Sequence, residues 1–379
     1  MTPTANGPMR AIGLMSGTSM DGVDLALVDT DGESAVHAVT GAFRPYHPDE
    51  RAVLRRALQD AAAVTSRTER TPAMAEAEAI VTHAHVAAVT DFMGARRMSP
   101  QDVAVIGFHG QTVFHAPRRG LTVQIGDAQA LADATGVPVV FDMRAADVAA
   151  GGEGAPLVPV YHRALAAQAG LKRPVAILNI GGVSNLTYIG RDGALLAFDT
   201  GPGNALIDDL VRERTGAAMD EGGRLAAAGT VDDAALGALI SHPFFQKRPP
   251  KSLDRNSFCR NSVTALSTED AAATLTVFTA AAVAAGLKQV PEAPERLVVC
   301  GGGTRNPTLM AALKALTRVE VVPAEALGWS SDALEAEAFA YLAVRSWKGL
   351  PLTFPGTTGV LQPMTGGVLV RPRVAAEPG

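Results

Sequence analysis

The chain has 379 residues, of which 47% are hydrophobic, 19% are charged and 38 are glycines, a composition typical of a folded protein with tight turns. This length exceeds what one hydrophobic core usually supports, so it predicts two domains. The net charge of −5, with no run of five like charges, disfavours a dedicated binder of nucleic acid or of an anionic membrane.

The elements predicted for the first half alternate between strand and helix. They are, in chain order, strands at Ala11–Met15 and Val23–Val28, helices at 48–63 and 71–95, strands at 103–108 and 121–125, a helix at 128–134 and a strand at 137–141. The two first strands form a hairpin with a glycine-containing loop. Thr71 followed by Pro72 is typical of a helix start, with threonine as the N-cap.

A glycine-rich break at 149–156 precedes the second half, where the same pattern begins again. The predicted elements are strands at Val175–Ile180, Asn185–Ile189 and Leu195–Phe198, helices at 205–214 and 267–287, a strand at 297–300, a helix from 306–307, a strand at 319–322 and a helix at 332–347. We therefore predict an α/β protein of two similar halves. The predicted domains are residues 1–145, with 348–379 as a candidate addition to them, and residues 146–347.

Cysteine content and apolar runs predict a cytoplasmic protein. Cys259 and Cys300 are too few for a disulfide framework or a cysteine-rich metal site, and the eight histidines are too scattered for one. The N-terminal residues lack the pattern of a secretory signal. The stretch 271–287 is short and rich in alanine and threonine, so we interpret it as a buried helix and not as a membrane span.

Common nucleotide-binding and hydrolase motifs are absent from the sequence. There is no Gly-Lys pair for a Walker A loop and no G-x-G-x-x-G before a helix, and H-R-D, H-E-x-x-H and G-x-S-x-G are also missing. Glycine-rich turns instead follow predicted strands at 16–24, at 179–185 with 198–204, and at 300–303. Glycines there allow backbone N–H groups to approach an anion, although each turn alone is explained equally by a tight bend.

These turns also carry a family resemblance. Residues 13–24, Gly-Leu-Met-Ser-Gly-Thr-Ser-Met-Asp-Gly-Val-Asp, resemble the signature of the anhydro-N-acetylmuramic acid kinases of the actin/sugar kinase/Hsp70 ATPase superfamily. The resemblance continues in order through segments 109–112, 124–127, 147–152, 154–159, 179–182, 199–204 and 299–303. Two departures are Glu153, where glutamine is usual, and Leu253–Asn256, where Thr-Gly-Arg-Glu is frequent.

The resemblance implies two RNase H-like (actin-like ATPase) domains around a central nucleotide cleft, with ATP and Mg²⁺ as cofactors. The implied ATP-binding residues are Gly17, Thr18, Ser19, Met20, Asp21, Gly22, Val23, Asp24, Gly181, Gly182, Asn185, Gly301, Gly302 and Gly303. No direct metal ligand is assigned, because Asp21 and Asp24 can act on Mg²⁺ through water. An Asx turn that closes the hairpin is an alternative role for Asp21.

The implied activity is hydrolytic opening of the 1,6-anhydro ring of anhydro-N-acetylmuramic acid with phosphorylation of O6. The product, N-acetylmuramic acid 6-phosphate, is an intermediate of peptidoglycan recycling, and the family implies a homodimer. Two alternatives are an actin/Hsp70-like ATPase that gates a protein partner and a kinase for another sugar.

Asp199 is the implied catalytic base, because it follows an apolar strand at the point where partial burial can raise the pKa of a carboxyl group. Its alternative role is to cap the helix that begins near Asn204. Four further residues are implied to bind the sugar: Arg144, Asp147, Glu335 and His109. Their alternatives are a surface ion pair for the first two, a solvated helix face for Glu335, and a structural or orienting role for His109.

Overall fold

The computed structural model describes residues 7–17, 19–253 and 257–373. The chain divides into two compact units, unit 1 from Met1–Gln168 with Ala333–Gly379, and unit 2 from Ala169–Asp332. The strands are β1 (Met9–Ser16), β2 (Gly22–Thr30), β3 (Val36–Pro45), β4 (Val105–Ala116), β5 (Leu121–Ile125), β6 (Val139–Phe141), β7 (Val175–Ile180), β8 (Val183–Ile189), β9 (Leu195–Pro202), β10 (Arg296–Cys300), β11 (Glu320–Pro323) and β12 (Val368–Val370).

The α-helices alternate with these strands along the chain. They are α1 (Pro48–Ala61), α2 (Pro72–Ala95), α3 (Ala128–Thr135), α4 (Ala145–Ala149), α5 (Pro159–Gln168), α6 (Ala205–Thr215), α7 (Arg224–Ala228), α8 (Asp233–Ile240), α9 (Thr268–Leu287), α10 (Pro307–Thr317), α11 (Leu334–Trp347) and α12 (Pro355–Thr358). The predicted N-cap Thr71 is confirmed: its side chain accepts a hydrogen bond from an amide in the first turn of α2. Ser267 and Asn306 accept equivalent hydrogen bonds in the first turns of α9 and α10.

Both units are built on the same sheet topology. In unit 1 the order is β12-β6-β4-β1-β2-β3, with β5 beside β4, and in unit 2 it is β11-β10-β7-β8-β9. In each unit the first three strands are antiparallel, while the first strand runs parallel to the strand on its other side. This repeated order, three antiparallel strands followed by parallel ones, confirms the predicted α/β fold of two RNase H-like domains.

The domain boundaries differ from those predicted, because helix α11 packs in unit 1. A Cβ added at Gly13 on β1 would lie 1.8 Å from the carbonyl oxygen of Ala336, and one at Gly107 on β4 would lie 2.0 Å from that of Phe339. The two glycines therefore let the helix backbone contact the sheet directly. Strand β12 pairs with β6, which also places the C-terminal segment in unit 1.

We expect Gly13→Ala to destabilise the protein by about 3 kcal/mol or more, because the new methyl group meets helix backbone that cannot yield without moving α11. Gly94→Ala is the matched control, since a Cβ at Gly94 in helix α2 meets nothing within 4 Å. That variant should gain about 0.5–1 kcal/mol. Urea unfolding of both variants measures the difference. Equal stabilities would show that the helix does not lie against β1 as described.

Helix α9 is the apolar stretch that was expected to be buried. Among the described helices, Thr268–Leu287 alone has the length and composition to cross a membrane, and 72% of its apolar window is buried inside the protein. Its residues contribute to two clusters of apolar side chains in unit 2, one with helices α6 and α8 and one beneath the sheet. The expected buried helix is therefore confirmed.

Some elements were not predicted because they lack the patterns that signal them. Strand β3 is exposed at most positions on the edge of its sheet and shows no apolar alternation. Helices α5, α7 and α8 and the terminal strand β12 were also missed. Strand β3 forms by pairing with the preceding strand β2, whereas β12 pairs with β6, more than 200 residues earlier in the chain.

Candidate active site

Three polar side chains form a row across the first three strands of unit 2. Asn179 on β7 pairs with Asn185 on β8, which pairs with Asp199 on β9. Paired residues of neighbouring strands project from the same face of a sheet. The adjacent paired residues Leu178, Leu186 and Phe198 project from the other face into an apolar cluster. We call Asn179, Asn185 and Asp199 the polar row.

A β-bulge places Asp199 within this row. Ser184 pairs with Gly201 whereas Asn185 pairs with Asp199, so Thr200 is an extra residue in β9. The backbone N–H of Asp199 donates to the carbonyl oxygen of Lys251 at 2.9 Å. Its carboxylate Oδ2 accepts a hydrogen bond of 2.7 Å from the N–H of Leu253. The segment 251–253 thus holds both the backbone and the side chain of Asp199.

The carboxyl group of Asp199 has the properties of a base that works near neutral pH. Burial raises its pKa to about 6, while the Leu253 N–H and the charge of Lys251 oppose the rise. The alternative role as a helix cap is wrong: helix α6 begins at Ala205 with Asn204 as its N-cap, and the Asp199 carboxylate binds Leu253 instead.

The glycines predicted to bind ATP fall into two groups. Packing requires Gly22, Gly301 and Gly303, where an added Cβ would lie within 2.6 Å of other protein atoms. Packing does not require Gly17, Gly181, Gly182 and Gly302, where it would come no closer than 3.5 Å to the atoms around it. Close approach of a ligand to the backbone remains as an explanation for glycine at these four positions.

The turn at Gly181–Gly182 connects β7 to β8 and is fixed to the start of helix α6. Its two carbonyl oxygens accept hydrogen bonds from the amides of Gly203, Asn204 and Ala205, at 2.8 to 3.3 Å. Next to it, Gly301 follows β10 with a φ of +81°, and a Cβ there would lie 2.4 Å from Oδ1 of Asn179. The second and third glycine-rich turns therefore lie at the same end of the sheet as the polar row.

In unit 1 the first glycine-rich turn connects β1 to β2, and the buried side chains of Ser16 and Gln111 form hydrogen bonds at its start. Ser16 donates to Oε1 of Gln111 at 2.6 Å, and Nε2 of Gln111 donates to the carbonyl oxygen of Gly17 at 3.1 Å. The amide of Met20, which has a left-handed φ of +53°, closes the turn onto the same carbonyl at 3.1 Å. Two hydrogen bonds thus hold the Gly17 carbonyl at the start of the turn.

The predicted ATP-binding residues of this loop are not equivalent. The side chain of Val23 is fully buried in the core of unit 1, and Met20 packs against that core, so only their backbones can serve a ligand. Asp21 is exposed and its carboxylate accepts a 2.6 Å hydrogen bond from the Ser19 hydroxyl, a different contact from the expected Asx turn. Asp24 lies on β2 opposite Met15. Thr18 lies outside the described residues.

The predicted sugar-binding residues Arg144 and His109 contact each other in unit 1. Nε and Nη2 of Arg144 donate to Nε2 of His109 at 3.2 and 3.1 Å, and Nη1 donates to the carbonyl oxygen of Gly154 at 2.9 Å. Nδ1 of His109 lies 2.7 Å from the carbonyl oxygen of Gly110, so the ring is neutral and donates there. Burial and the Arg144 charge lower the pKa of His109 to about 3. His109 is therefore a neutral hydrogen-bond acceptor for Arg144, and a sugar contact by His109 stays a prediction.

Hydrogen bonds of Asp147 connect helix α4 to Gly154 and to the C-terminal part of unit 1. Its Oδ1 accepts the amide of Gly154 at 2.6 Å, and its Oδ2 accepts the hydroxyls of Thr353 at 2.5 Å and Thr358 at 2.6 Å. The side chain is 2% exposed and forms no ion pair with Arg144 within 4 Å. The alternative of a surface ion pair is therefore wrong, and a sugar contact by Asp147 stays a prediction.

Glu335 lies in the first turn of α11 and is exposed, as a solvated helix face would be. Desolvation of its carboxyl group by the surrounding protein nevertheless raises the pKa of that group, and the charge of Arg144 opposes the rise. A cavity of about 450 Å³ lies in unit 1 beside His109 and is lined by the middle of β4, by β5 and by the end of β6. Arg144, His109 and Glu335 thus belong to one electrostatic group of unit 1.

Comparison with known proteins assigns the chain to a family. Residues 9–372 match the family model described as anhydro-N-acetylmuramic acid kinase. The chain is a member of this family. It is 56% identical over 375 residues to the anhydro-N-acetylmuramic acid kinase of Methylobacterium nodulans, with 96% of this chain and 100% of that protein covered. It is 55% identical to the same kinase of Rhodopseudomonas palustris, with the same coverage.

Among solved structures, a ROK family glucokinase from Streptomyces griseus in complex with glucose and AMPPNP is similar to this anhydro-N-acetylmuramic acid kinase family member. The TM-score is 0.41 and the identity 13%, with 88% of this chain and 99% of that chain covered. A likeness of this size concerns the fold at most.

Two residues of this kinase were not singled out from the sequence, although Gln111 lies in the resembling segment 109–112 and Lys251 precedes the departure at Leu253–Asn256. Gln111 supports the carbonyl of Gly17, and Lys251 holds the backbone of Asp199. Lys251 is 8% exposed, which is unusual for a lysine. A lysine between two prolines and a serine carries no sequence signal of burial, so only the packing reveals it.

Proposed function

We propose that this protein opens the 1,6-anhydro ring of 1,6-anhydro-N-acetylmuramic acid with water and transfers the γ-phosphoryl group of ATP to O6. The products are N-acetylmuramic acid 6-phosphate and ADP. The observation that carries the proposal is Asp199: a partly buried carboxylate with a pKa raised to about 6, held by a backbone amide at the end of the sheet where the glycine-rich turns lie. Family membership over residues 9–372 supports the substrate.

The reaction couples two substitutions, one at C1 of the sugar and one at the γ-phosphorus of ATP. Asp199 takes a proton from the attacking water, whose oxygen forms a bond to C1 of the sugar. The bond between C1 and O6 breaks, and its electron pair stays on O6. O6 then attacks the γ-phosphorus of ATP, and ADP leaves. A carboxyl group with a pKa of about 6 is ionised near pH 7 and still basic enough for this role.

The glycines without a packing role are the proposed phosphate contacts. Backbone N–H groups at Gly17, Gly181, Gly182 and Gly302 can approach the phosphates because no side chain covers them. Mg²⁺ supplies charge neutralisation on the phosphates when it is bound. The described residues contain no group of three acidic, histidine or cysteine side chains that could hold a metal. Asp21 and Asp24 fit a hydrated Mg²⁺ carried by ATP.

Arg144 is the proposed contact of the lactyl carboxylate, because a guanidinium binds carboxylates with two parallel donors. Three N–H groups of Arg144 donate hydrogen bonds to His109 and Gly154, and these bonds fix the orientation of the guanidinium plane. Glu335 is the proposed partner of a sugar hydroxyl. In the cell we propose a cytoplasmic homodimer that acts in peptidoglycan recycling, since the family resemblance implies both.

The test is turnover of anhydro-N-acetylmuramic acid by the purified protein with ATP and Mg²⁺ in ¹⁸O-labelled water. We expect one ADP per sugar phosphate and one labelled oxygen at C1, after correction with unlabelled product incubated in the same water. Chelation of Mg²⁺ should stop the reaction. Equal turnover of glucose or N-acetylmuramic acid would instead indicate another sugar kinase. ATP hydrolysis that no sugar stimulates would indicate an ATPase that gates a partner.

A further inference from the structure

Lys251 is buried next to the proposed base without an acidic partner within ion-pair distance. Its side chain is 8% exposed, and no carboxylate of the described residues lies within 4 Å of its ammonium. Nζ donates to the carbonyl oxygen of Phe244 at 3.4 Å and lies 4.5 Å from the centre of the Phe244 ring. A charged group buried in this way is costly unless other interactions compensate for it.

The same residue is bound to Asp199 through the backbone. The carbonyl oxygen of Lys251 accepts the amide of Asp199, and two residues later the amide of Leu253 donates to the Asp199 carboxylate. The segment 251–253 therefore lies along the free edge of β9 at the bulge. The ammonium anchors this segment on the rings of Phe244 and, at 5.9 Å, Phe198, the neighbour of Asp199 in β9.

We infer that Lys251 is a positioning residue for Asp199. It anchors segment 251–253, which hydrogen-bonds to Asp199, and it supplies a positive charge that favours the ionised carboxylate. This inference rests on the proposed role of Asp199. It explains why a lysine is buried against aromatic rings at the edge of β9, although burial of its charge is costly.

The charges around the pair are consistent with this role. Lys251 lowers the pKa of Asp199 against the effect of burial, and Asp199 raises that of Lys251. Burial lowers the pKa of Lys251 to about 8, with a further contribution from Lys247, so the ammonium is still charged near pH 7. Loss of that charge should raise the pKa of Asp199 and move the acid limb of activity to higher pH.

The experiment compares Lys251→Met, Lys251→Arg and the control Lys247→Met, which removes a charge from an exposed position four residues before Lys251. In Lys251→Met we expect the acid limb of kcat/KM to move up by about half a pH unit or more. In Lys251→Arg it should stay near the wild-type position, and in Lys247→Met within about 0.2 units, since an exposed charge is screened. An unchanged acid limb in Lys251→Met would overturn the inference.

A second measurement is independent of turnover. Titration of ¹³C-carboxyl-labelled aspartate by NMR, with the Asp199 signal assigned by its loss in Asp199→Asn, should show the pKa of Asp199 higher in Lys251→Met. An unchanged titration in folded Lys251→Met would overturn the inference whatever the activity of that variant. Failure of the proposed function is distinct, because the wild-type protein would then not turn over anhydro-N-acetylmuramic acid.

Discussion

Asp199→Asn is expected to lower kcat by about 10²–10⁴-fold, the usual contribution of a general base. An amide cannot take the proton of the attacking water, and departure of O6 depends on that attack. Ring opening and ATP consumption should therefore fall together. Asparagine keeps the size of the side chain, and its Oδ1 can still accept the Leu253 amide, so the affinity for ATP should change little. The rates are measured under saturating substrates.

The thermal stability of Asp199→Asn distinguishes a catalytic role of Asp199 from a structural role. The pKa of Asp199 is raised on folding, so its contribution to stability is fully present below the unfolded value near 4 and is lost as the pH rises through about 6. At pH 7.5 the ionised carboxylate favours unfolding, and Asp199→Asn should melt at the wild-type temperature or above. Asp233→Asn, at an exposed position, is the matched control. A variant that keeps more than about a tenth of wild-type turnover would show that the base is another residue, with Glu335 the next candidate.

Gly17→Val is expected to weaken the binding of a non-hydrolysable ATP analogue by about tenfold to hundredfold, which corresponds to one or two lost charge-assisted hydrogen bonds. A Cβ at Gly17 meets only the Ser19 hydroxyl oxygen, at 3.6 Å, so the fold itself tolerates a side chain there. The space at Gly17 makes the variant a test of the ligand and not of folding.

Calorimetric titration measures this effect, and thermal unfolding checks that the fold is intact. Gly17→Ala should give a smaller loss than Gly17→Val, because one methyl group intrudes less on the same backbone. Gly22→Ala is the contrasting variant: its Cβ would lie 2.4 Å from the carbonyl oxygen of Arg44, so it should lower stability. Unchanged affinity in Gly17→Val would exclude the first turn from the phosphate site.

The sequence by itself determined most of the local elements, and it determined the family. Apolar runs such as Val175–Ile180 form buried strands because their side chains have no favourable alternative to burial. Thr71, Ser267 and Asn306 begin helices because each supplies an acceptor for amides that the helix leaves unpaired. The glycine motifs indicated the family without knowledge of which strands pair, because their order along the chain is enough.

Only the tertiary structure decided which unit each element joins and which residues support the site. Helix α11 belongs to unit 1 because Gly13 and Gly107 admit its backbone to the sheet, a contact between segments more than 200 residues apart. Lys251 reaches Asp199 because segment 251–253 lies along β9, and burial there sets the pKa of the carboxyl group. Close approach and burial depend on what packs around a residue, and neighbours in sequence do not specify this.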